Sequence, residues 1–155
     1  EFAADGRARS IGVSNFTPDQ LDRLAAETGT VPAVNQIEVH PYFANDTVRG
    51  YGQRNGIATE AWSPIAQGQV LDDPTIAKVA AAQGRSPAQV TLRWHLQRGD
   101  IVFPKSVSTR RTAENFALFD FELSGEEMAA ISALDRGVAG RRGPDPDVFD
   151  WIPGH

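Results

Sequence analysis

The stretch RSIGVSNFTPDQLDRLAAETGTVPAVNQIEV, residues 9–39, decides the fold class of this 155-residue chain. It begins and ends with runs rich in Ile and Val, at residues 9–14 and 33–39, which predict two β-strands. Between them, Thr17-Pro18-Asp19-Gln20 has the pattern of a helix start, apolar residues follow at helical spacing, and Gly29 ends the helix. A strand, a helix and a second strand in this order favour a right-handed crossover and a parallel sheet.

The same alternation continues along the rest of the chain. Two further strands are predicted at residues 57–62 and 101–104, where short apolar runs lie between turn-forming residues. Helix-start and helix-stop residues predict the remaining helices at residues 45–55, 73–84, 86–99, 109–119 and 124–134. The pattern is typical of an α/β protein with four parallel strand-helix units.

Two α/β architectures have this pattern: an open doubly wound sheet and a piece of a (β/α)8 TIM barrel. The open sheet usually has a Gly-rich nucleotide fingerprint after its first strand, and the sequence contains no GxGxxG pattern. A complete eightfold barrel needs about 250 residues. Four strand-helix units followed by an extra C-terminal helix therefore indicate half of a barrel, with an irregular tail rich in Gly, Pro and Asp at residues 137–155.

The ends of the chain also suggest part of a longer protein. The sequence begins at Glu1, and its one methionine is Met128, so we expect either processing or a start partway through a longer gene product. A half-barrel exposes two strand edges and an apolar sheet face, which normally need a partner. We expect the missing half-barrel or another copy of the chain to cover those edges.

Composition argues against several classes of function. The 15 Lys and Arg and 20 Asp and Glu give a charge of −5 without a basic block, so no nucleic-acid partner is expected. No apolar run reaches membrane-spanning length and no leader pattern is present, so we expect no membrane partner and a cytoplasmic location. The absence of cysteine and the scatter of His40, His95 and His155 argue against a metal site.

Amide and hydroxyl groups stand at the predicted strand ends, where barrels place their working residues. Ser14 and Asn15 follow the first strand, Gln36 lies in the second, and Trp62 ends the third. Each also has a structural interpretation: Ser14-Asn15 as a turn, Gln36 as a bonded core amide, and Trp62 as a packing residue. For Glu38, His40 and His95 we expect only structural pairing.

A basic loop follows the fourth strand. Lys105 is one of only two lysines in the chain, Ser106 follows it, and Arg110 and Arg111 begin the next helix. Cations are disfavoured in the first turn of a helix by the helix dipole, so two of them favour a bound anion, and a phosphate monoester suits these donors. A solvated basic patch is the alternative interpretation.

Four motifs in order resemble one known family. They are IGVSNF at residues 11–16, NQIEVHPY at 35–42, AWSPIAQG at 61–68 and FPKSVSTRRTAENFALFDFEL at 103–123. Together they are similar to the C-terminal half of an aldo-keto reductase, particularly of the bacterial branch that includes 2,5-diketo-gluconate reductases. The resemblance implies that residues 1–136 are the second half of a (β/α)8 barrel and that residues 137–155 are a tail that contributes to the substrate site.

The resemblance also implies a cofactor, NADPH, and a role for each matching position. Ser14, Asn15 and Gln36 would bond the nicotinamide carboxamide, and the Trp62 ring would stack on the nicotinamide. The remaining contacts would be Ser63, Pro64, Ile65, Gln67 and Gly68 along the pyrophosphate, Lys105, Ser106 and Arg111 at the adenosine 2′-phosphate, and Glu114 and Asn115 at the adenine.

The implied activity is NADPH-dependent reduction of small aldehydes, ketones or keto-sugars to alcohols. The family's catalytic Asp, Tyr, Lys and His come from the N-terminal half of the barrel, and no segment here matches their motifs. We therefore expect an oxidoreductase as the intact parent, with this chain inactive alone and without a catalytic residue of its own. The alternatives are a non-catalytic NADP(H)-binding fragment or sensor subunit, and an unrelated phosphate-binding barrel. The last would need several strand-end Lys or Glu residues, and only Lys105 qualifies.

Overall fold

The computed structural model describes residues 5–149. Its four strands form one parallel sheet in the order β1 (Gly12–Ser14), β2 (Val34–Glu38), β3 (Ala58–Trp62) and β4 (Ile101–Val102). Its α-helices are α1 (Pro18–Thr28), α2 (Asp46–Arg54), α3 (Pro74–Gln83), α4 (Pro87–Gln97), α5 (Thr109–Phe116) and α6 (Gly125–Ser132). Two 3-10 segments, Ala66–Asp72 and Gly137–Gly140, complete the described secondary structure.

The architecture confirms the predicted half-barrel. Parallel strands alternate with helices, and the sheet does not close on itself within residues 5–149. The long connection between β3 and β4 contains both α3 and α4, as the two predicted helix starts required. The sequence pattern did not reveal the 3-10 segment Ala66–Asp72, because its kink depends on left-handed backbone at Gln67 and Gly68.

The sheet has two chemically different faces. Ile37 and Ala61 pack with Val48 of α2, which makes their face the helix-covered one. Because side chains alternate along a strand, the neighbouring positions point to the opposite face, which is the interior of a barrel. The register across β2 and β3 pairs the residues of that interior face as Gln36 with Glu60 and Glu38 with Trp62. The interior face is therefore polar where the strands end.

The main hydrophobic core lies among the helices beyond β3. Trp94 of α4 is fully buried there, and its Nε1 donates to Ser132 Oγ of α6 at 2.9 Å. The buried members of this core are Tyr42, Ala66, Val70, Ile76, Val79, Ala80, Val90, Trp94, Leu123 and Ile131. This packing anchors the segment that follows β3, since Ala66 and Val70 belong to it.

The strands at both ends of the sheet, β1 and β4, each have one neighbouring strand in the described part of the chain. Apolar side chains are exposed beside these edges, among them Ile11 at 44% and Phe103 at 50%. A groove of about 420 Å³ lies next to β4, and its apolar lining includes Leu96, Val102, Phe103, Phe116, Leu118 and Phe119. The open edges expected of a half-barrel are thus present.

Candidate functional site

Four of the predicted residues meet where β1 and β3 end, beside the middle of β2. Trp62 Nε1 donates to Asn15 Oδ1 at 2.8 Å, and Asn15 Nδ2 donates to Ser14 Oγ at 3.0 Å. The Ser14 hydroxyl and the Asn15 backbone N–H both donate to the carbonyl oxygen of Gln36, at 3.2 and 2.9 Å. We call Ser14, Asn15, Gln36 and Trp62 the strand-end cluster. Hydrogen bonds across three strands fix the positions of the Ser14, Asn15 and Trp62 side chains.

The Gln36 side chain keeps hydrogen-bonding capacity for a ligand. Its Nε2 donates to Glu60 Oε2 on β3 at 3.3 Å. Among residues 5–149, no hydrogen bond reaches its Oε1, so this oxygen is available to accept one. Both side chains are half-buried on the interior face of the sheet. Sequence reasoning missed Glu60, although its position two residues before Trp62 places both on one face of a strand.

Left-handed backbone is concentrated beside this cluster. Of the five described non-glycine residues with positive φ, four follow β1 or β3: Asn15 at 60°, Ser63 at 51°, Ala66 at 47° and Gln67 at 56°. Asparagine adopts this conformation more readily than alanine or glutamine. Such strain persists only where the surrounding structure imposes it, and it is frequent at functional sites.

The loop of residues 63–68 after β3 is held by its own backbone and by the core. Ala66 N–H donates to Ser63 O and Gly68 N–H donates to Ile65 O, both at 2.8 Å. Pro64 and Ala66 are buried, whereas Gln67 is exposed. The predicted residues Ser63, Pro64, Ile65, Gln67 and Gly68 thus form one ordered turn next to Trp62. We call residues 63–68 the β3 loop.

Glu38 attaches the C-terminal tail to the sheet. Its two carboxylate oxygens accept the backbone N–H of Arg142 at 2.6 Å and that of Gly143 at 2.9 Å, and His40 Nε2 lies 2.9 Å from Oε1. Burial alone would raise the pKa of the Glu38 carboxyl, but the hydrogen bonds from His40, Gly143 and Arg142 hold it below its usual value. Glu38 and His40 are therefore structural partners, as the sequence predicted.

The tail passes directly over the indole of Trp62. A Cβ atom on Gly143 would lie 2.3 Å from Trp62 Cη2 and 3.2 Å from a carboxylate oxygen of Glu38, so only glycine fits there. Trp62 is thereby fixed at both ends, by Asn15 at its nitrogen and by the tail at its outer edge. Phe149 of the tail is 53% exposed. The other aromatic residue of the tail, Trp151, lies outside the described residues.

The basic loop, defined as residues 105–111, connects β4 to α5. Lys105 and Arg111 are exposed, and within the described chain neither the ammonium nor the guanidinium has a hydrogen bond or ion pair. The hydroxyl of Ser106 forms a local turn with the backbone of Ser108, and Ser108 Oγ caps α5 by accepting from Arg111 N–H. Two free cations thus flank a capped helix start, which is a suitable place for an anion.

The first turn of α5 also distinguishes its two arginines. Arg110 is paired with Glu114 on the same helix at 2.6 Å, whereas the Arg111 guanidinium is not paired within residues 5–149. Glu114 and Asn115 are half-buried, and Asn115 lines the groove beside β4 together with Ser106.

Neither tyrosine of the chain belongs to the strand-end cluster. The Tyr42 hydroxyl donates to Asp73 Oδ2 at 2.9 Å, and the Tyr51 hydroxyl donates to Asp22. Burial and Asp73 raise the pKa of Tyr42, and the hydrogen bond to Asp22 raises that of Tyr51. A raised pKa makes a hydroxyl a poorer proton donor. Residues 5–149 contain no metal-binding group of three His, Cys, Asp or Glu side chains and no helix of membrane-spanning length and hydropathy.

Comparison with known proteins gives one consistent family. Residues 1–136 match the model of the aldo/keto reductase family. An aldo-keto reductase of Mycolicibacterium smegmatis is 54% identical over 146 residues, which are 94% of this chain and 52% of the relative. The methylglyoxal reductase DkgA of Yersinia pestis is 50% identical over 146 residues, covering 93% of this chain and 52% of that protein.

Solved structures agree with the sequence matches. The crystal structure of a Gox0644 mutant in complex with NADPH superposes with a TM-score of 0.94 at 47% identity, covering 97% of this chain and 55% of that one. The chain spans about half the length of the curated relatives it matches.

Proposed function

The chain belongs to the aldo/keto reductase family, and from this we propose that it binds NADPH as the cofactor half of a carbonyl-reducing oxidoreductase. The proposed reaction reduces small aldehydes, ketones or keto-sugars to alcohols. The observation on which the proposal rests is the strand-end cluster, in which the Trp62 indole and the Asn15 and Ser14 side chains are bonded in sequence next to the backbone carbonyl of Gln36. A similar structure is described as an NADPH complex, which supports the choice of cofactor.

The strand-end cluster fits a nicotinamide ring with its carboxamide. The amide of Asn15, the hydroxyl of Ser14 and the free oxygen of Gln36 offer donors and acceptors to a primary amide. The half-buried indole of Trp62 offers a flat apolar surface for a ring. Fixing the amide selects one face of the ring, and NADPH, when bound, supplies a hydride from that face.

The β3 loop fits the pyrophosphate in our proposal. Left-handed residues next to right-handed ones orient successive backbone N–H groups toward one side, and such concave turns bind anions. Ser63, Pro64, Ile65, Gln67 and Gly68 would lie along the two phosphates. The hydrogen bonds within this loop reduce the entropy that binding would otherwise lose.

The basic loop fits the adenosine 2′-phosphate, which distinguishes NADPH from NADH. The unpaired Lys105 and Arg111 side chains would gain charge-assisted hydrogen bonds to it, with the Ser106 hydroxyl beside them. Glu114 and Asn115, both about one turn after Arg111 along α5, would contact the adenine edge. We propose NADPH in preference to NADH for this reason.

The proton required for carbonyl reduction has to come from residues that this sequence does not include. Both tyrosines are bonded to carboxylates and have raised pKa values, so neither is suited to act as the general acid. We propose no catalytic residue in this chain and expect it to be inactive alone. The same observation favours a second candidate function, a non-catalytic NADP(H)-binding fragment or sensor subunit.

Two surfaces complete the proposal. The tail, residues 137–155, would border the substrate, because Glu38 holds it over Trp62. The apolar groove beside β4 and the exposed apolar residues at both sheet edges would be covered by the missing half-barrel or by another copy of this chain. The DkgA relative is described as a methylglyoxal reductase, which supports a small carbonyl compound as substrate.

Cofactor titration tests the proposed function. NADPH and NADH are titrated into the 155-residue chain while tryptophan fluorescence is recorded, with Trp62→Phe as the test variant and Trp94→Phe as the control from the core. We expect NADPH to quench the wild type and the core control more strongly than NADH does, and to quench Trp62→Phe least. Methylglyoxal added to the NADPH complex should then leave the absorbance of NADPH unchanged. Absence of NADPH-dependent quenching would remove the proposal, and turnover would contradict the missing proton donor.

A further inference from the structure

A buried histidine of α4 contacts the β3 loop from the hydrophobic core. His95 of α4 is fully buried, and its Nε2 lies 2.9 Å from the carbonyl oxygen of Pro64. Its other ring nitrogen, Nδ1, lies 3.0 Å from Asp100 Oδ2. Pro64 is in the middle of the segment that we propose for the pyrophosphate. The ring therefore connects α4 and the start of β4 to the β3 loop.

Both partners of the ring accept hydrogen bonds. Pro64 O is a carbonyl oxygen. Asp100 is held as an anion by Arg49, whose Nε lies 2.8 Å from Oδ1. Burial would raise the pKa of the Asp100 carboxyl, but the hydrogen bond from His95 and the charge of Arg49 lower it. Neither partner then has a proton to donate to the ring.

A neutral imidazole has one N–H and one lone pair, so it can satisfy only one of two acceptors. The charged ring has two N–H groups and satisfies both. Because an ionised carboxylate is the stronger acceptor, the neutral ring keeps its proton on Nδ1 toward Asp100. Its Nε2 lone pair would then face Pro64 O at hydrogen-bond distance, which is repulsive.

The charged groups around His95 set the pH at which its ring gains the second proton. Burial lowers the pKa of His95, and Asp100 and the Pro64 carbonyl oppose that effect. Arg98 disfavours the charged ring, and both Arg49 and Arg98 are themselves paired with Asp46. Asp135 acts on Arg98 from the segment after α6. The pKa of His95 is thus shifted below its ordinary value, so the ring becomes charged only at a pH more acidic than an exposed histidine requires.

We propose that His95 is a positioning residue for the β3 loop, which it holds through Pro64 O only while both of its ring nitrogens are protonated. The order of the loop then depends on one buried proton. Cofactor binding should be tighter when His95 is charged. The effect on cofactor binding rests on the proposed function, whereas the hydrogen bond from His95 to the β3 loop does not.

The first test needs no cofactor. Nitrogen NMR of the His95 ring in the wild-type chain, from neutral pH down to the lowest pH at which the chain stays folded, reports which ring nitrogens are protonated. We expect both to be protonated at the acidic end, with Nε2 losing its proton first as the pH rises. The protection of the Ala66 and Gly68 amides, which is the exchange rate corrected for its intrinsic pH dependence, should fall over the same range. His40, whose Nε2 faces Glu38, is the internal comparison. An Nε2 without a proton throughout would overturn the proposal.

The second test separates positioning from stability. His95→Gln has no titrating group at this position, so the protection of the Ala66 and Gly68 amides, corrected for the intrinsic exchange rate, should lose its change with pH in this variant. Leu92→Ala, a buried change on the same helix, should keep that pH dependence although it destabilises the fold. Identical pH profiles in His95→Gln and the wild type would contradict the proposed role.

The third test uses NADPH. Affinity in the wild type should fall about fivefold across the His95 transition, the size expected for one hydrogen bond, and this component should be absent in His95→Gln. The 2′-phosphate of NADPH titrates alike in both proteins, so the difference between them reports His95. If the wild type does not bind NADPH at all, the proposed function fails while the ring and amide measurements still decide the role of His95. Binding with equal pH dependence in both proteins would exclude the coupling.

Discussion

The strand-end cluster and the basic loop belong to the same proposed site but differ in how their side chains are held. In the cluster, Trp62 is bonded to Asn15 and Asn15 to Ser14, and the tail covers the indole edge. In the basic loop, Lys105 and Arg111 are exposed and have no side-chain partner within residues 5–149. The strand-end cluster is organised by hydrogen bonds among its own residues, and the basic loop supplies unpaired charge.

This difference separates two contributions to binding. A side chain that is already bonded loses little entropy on binding, so it contributes orientation. An exposed cation loses more entropy but gains a new charge-assisted contact, so it contributes affinity and selectivity for a phosphate. Changes in the cluster should therefore alter both stability and binding, whereas changes in the basic loop should alter binding alone.

The largest effect is expected from Glu38→Ala, which removes the acceptor for two tail N–H groups beside the cluster. The free energy of unfolding should fall by about 3 kcal/mol, because buried donors lose a charged acceptor. Urea unfolding measures it. Glu122→Ala, which changes a glutamate whose side chain is 82% exposed, is the control and should shift the midpoint little. Equal effects of the two variants would mean that the tail does not depend on Glu38.

Arg111→Ala should have the second largest effect, and this effect should be on cofactor binding only. We expect NADPH affinity to fall by about 2 kcal/mol, roughly 30-fold, with the loss of a charge-assisted contact. NADH affinity and the unfolding free energy should be unchanged. Isothermal titration with both cofactors measures this, and Arg23→Ala, an exposed arginine paired with Glu27 on α1, controls for net charge. A similar loss for NADH would show that the arginine does not contact a 2′-phosphate.

Asn15→Ala changes a residue inside the strand-end cluster. The unfolding free energy should fall by about 1.5 kcal/mol, because alanine strains the left-handed backbone at φ 60° and loses the bond to Trp62. Asn15→Gly is the matched variant: it removes the bond but tolerates the backbone, so it should cost less. NADPH and NADH affinities should fall alike in both variants. A loss of affinity for NADPH but not for NADH would mean that the strand-end cluster and the basic loop do not contribute to binding separately.

The smallest effect is the pH dependence of the Glu38 contact. Since the folded-state pKa of Glu38 is lowered, its contribution is present above the unfolded pKa and is lost as the pH falls through the folded value. The stability difference between the wild type and Glu38→Gln should therefore shrink as the pH falls from above the unfolded pKa of Glu38 through its lowered folded-state value. Thermal unfolding at several pH values measures it. A difference that grew toward acid would reverse the assigned direction.

Much of the fold could be predicted from local patterns. Ser86 and Ser124, for example, begin α4 and α6 with the capping boxes that their sequences indicated. The short apolar runs between turn-forming residues also placed Gln36 and Trp62 in strands. These signals are local, so they can be recognised from a few neighbouring residues. The roles of the cluster and of the basic loop toward NADPH stay predictions, since they depend on a ligand.

Other features could not be found in this way because they join distant parts of the chain. Gly143 lies against Trp62, Glu60 orients Gln36, and Pro64 contacts His95 through the core. The sequence alone assigned His95 no more than a structural pairing. No periodicity or motif reports such contacts, because each depends on how whole helices and strands pack.

By itself, the sequence determined the order of strands and helices and the residue types at each strand end, because hydrogen bonding and apolar spacing act over a few residues. The tertiary structure alone decided which of those side chains are bonded to one another and which stay free. Asn15 and Arg111 look equally polar in the sequence, but only packing across the sheet gives the first a partner and leaves the second exposed.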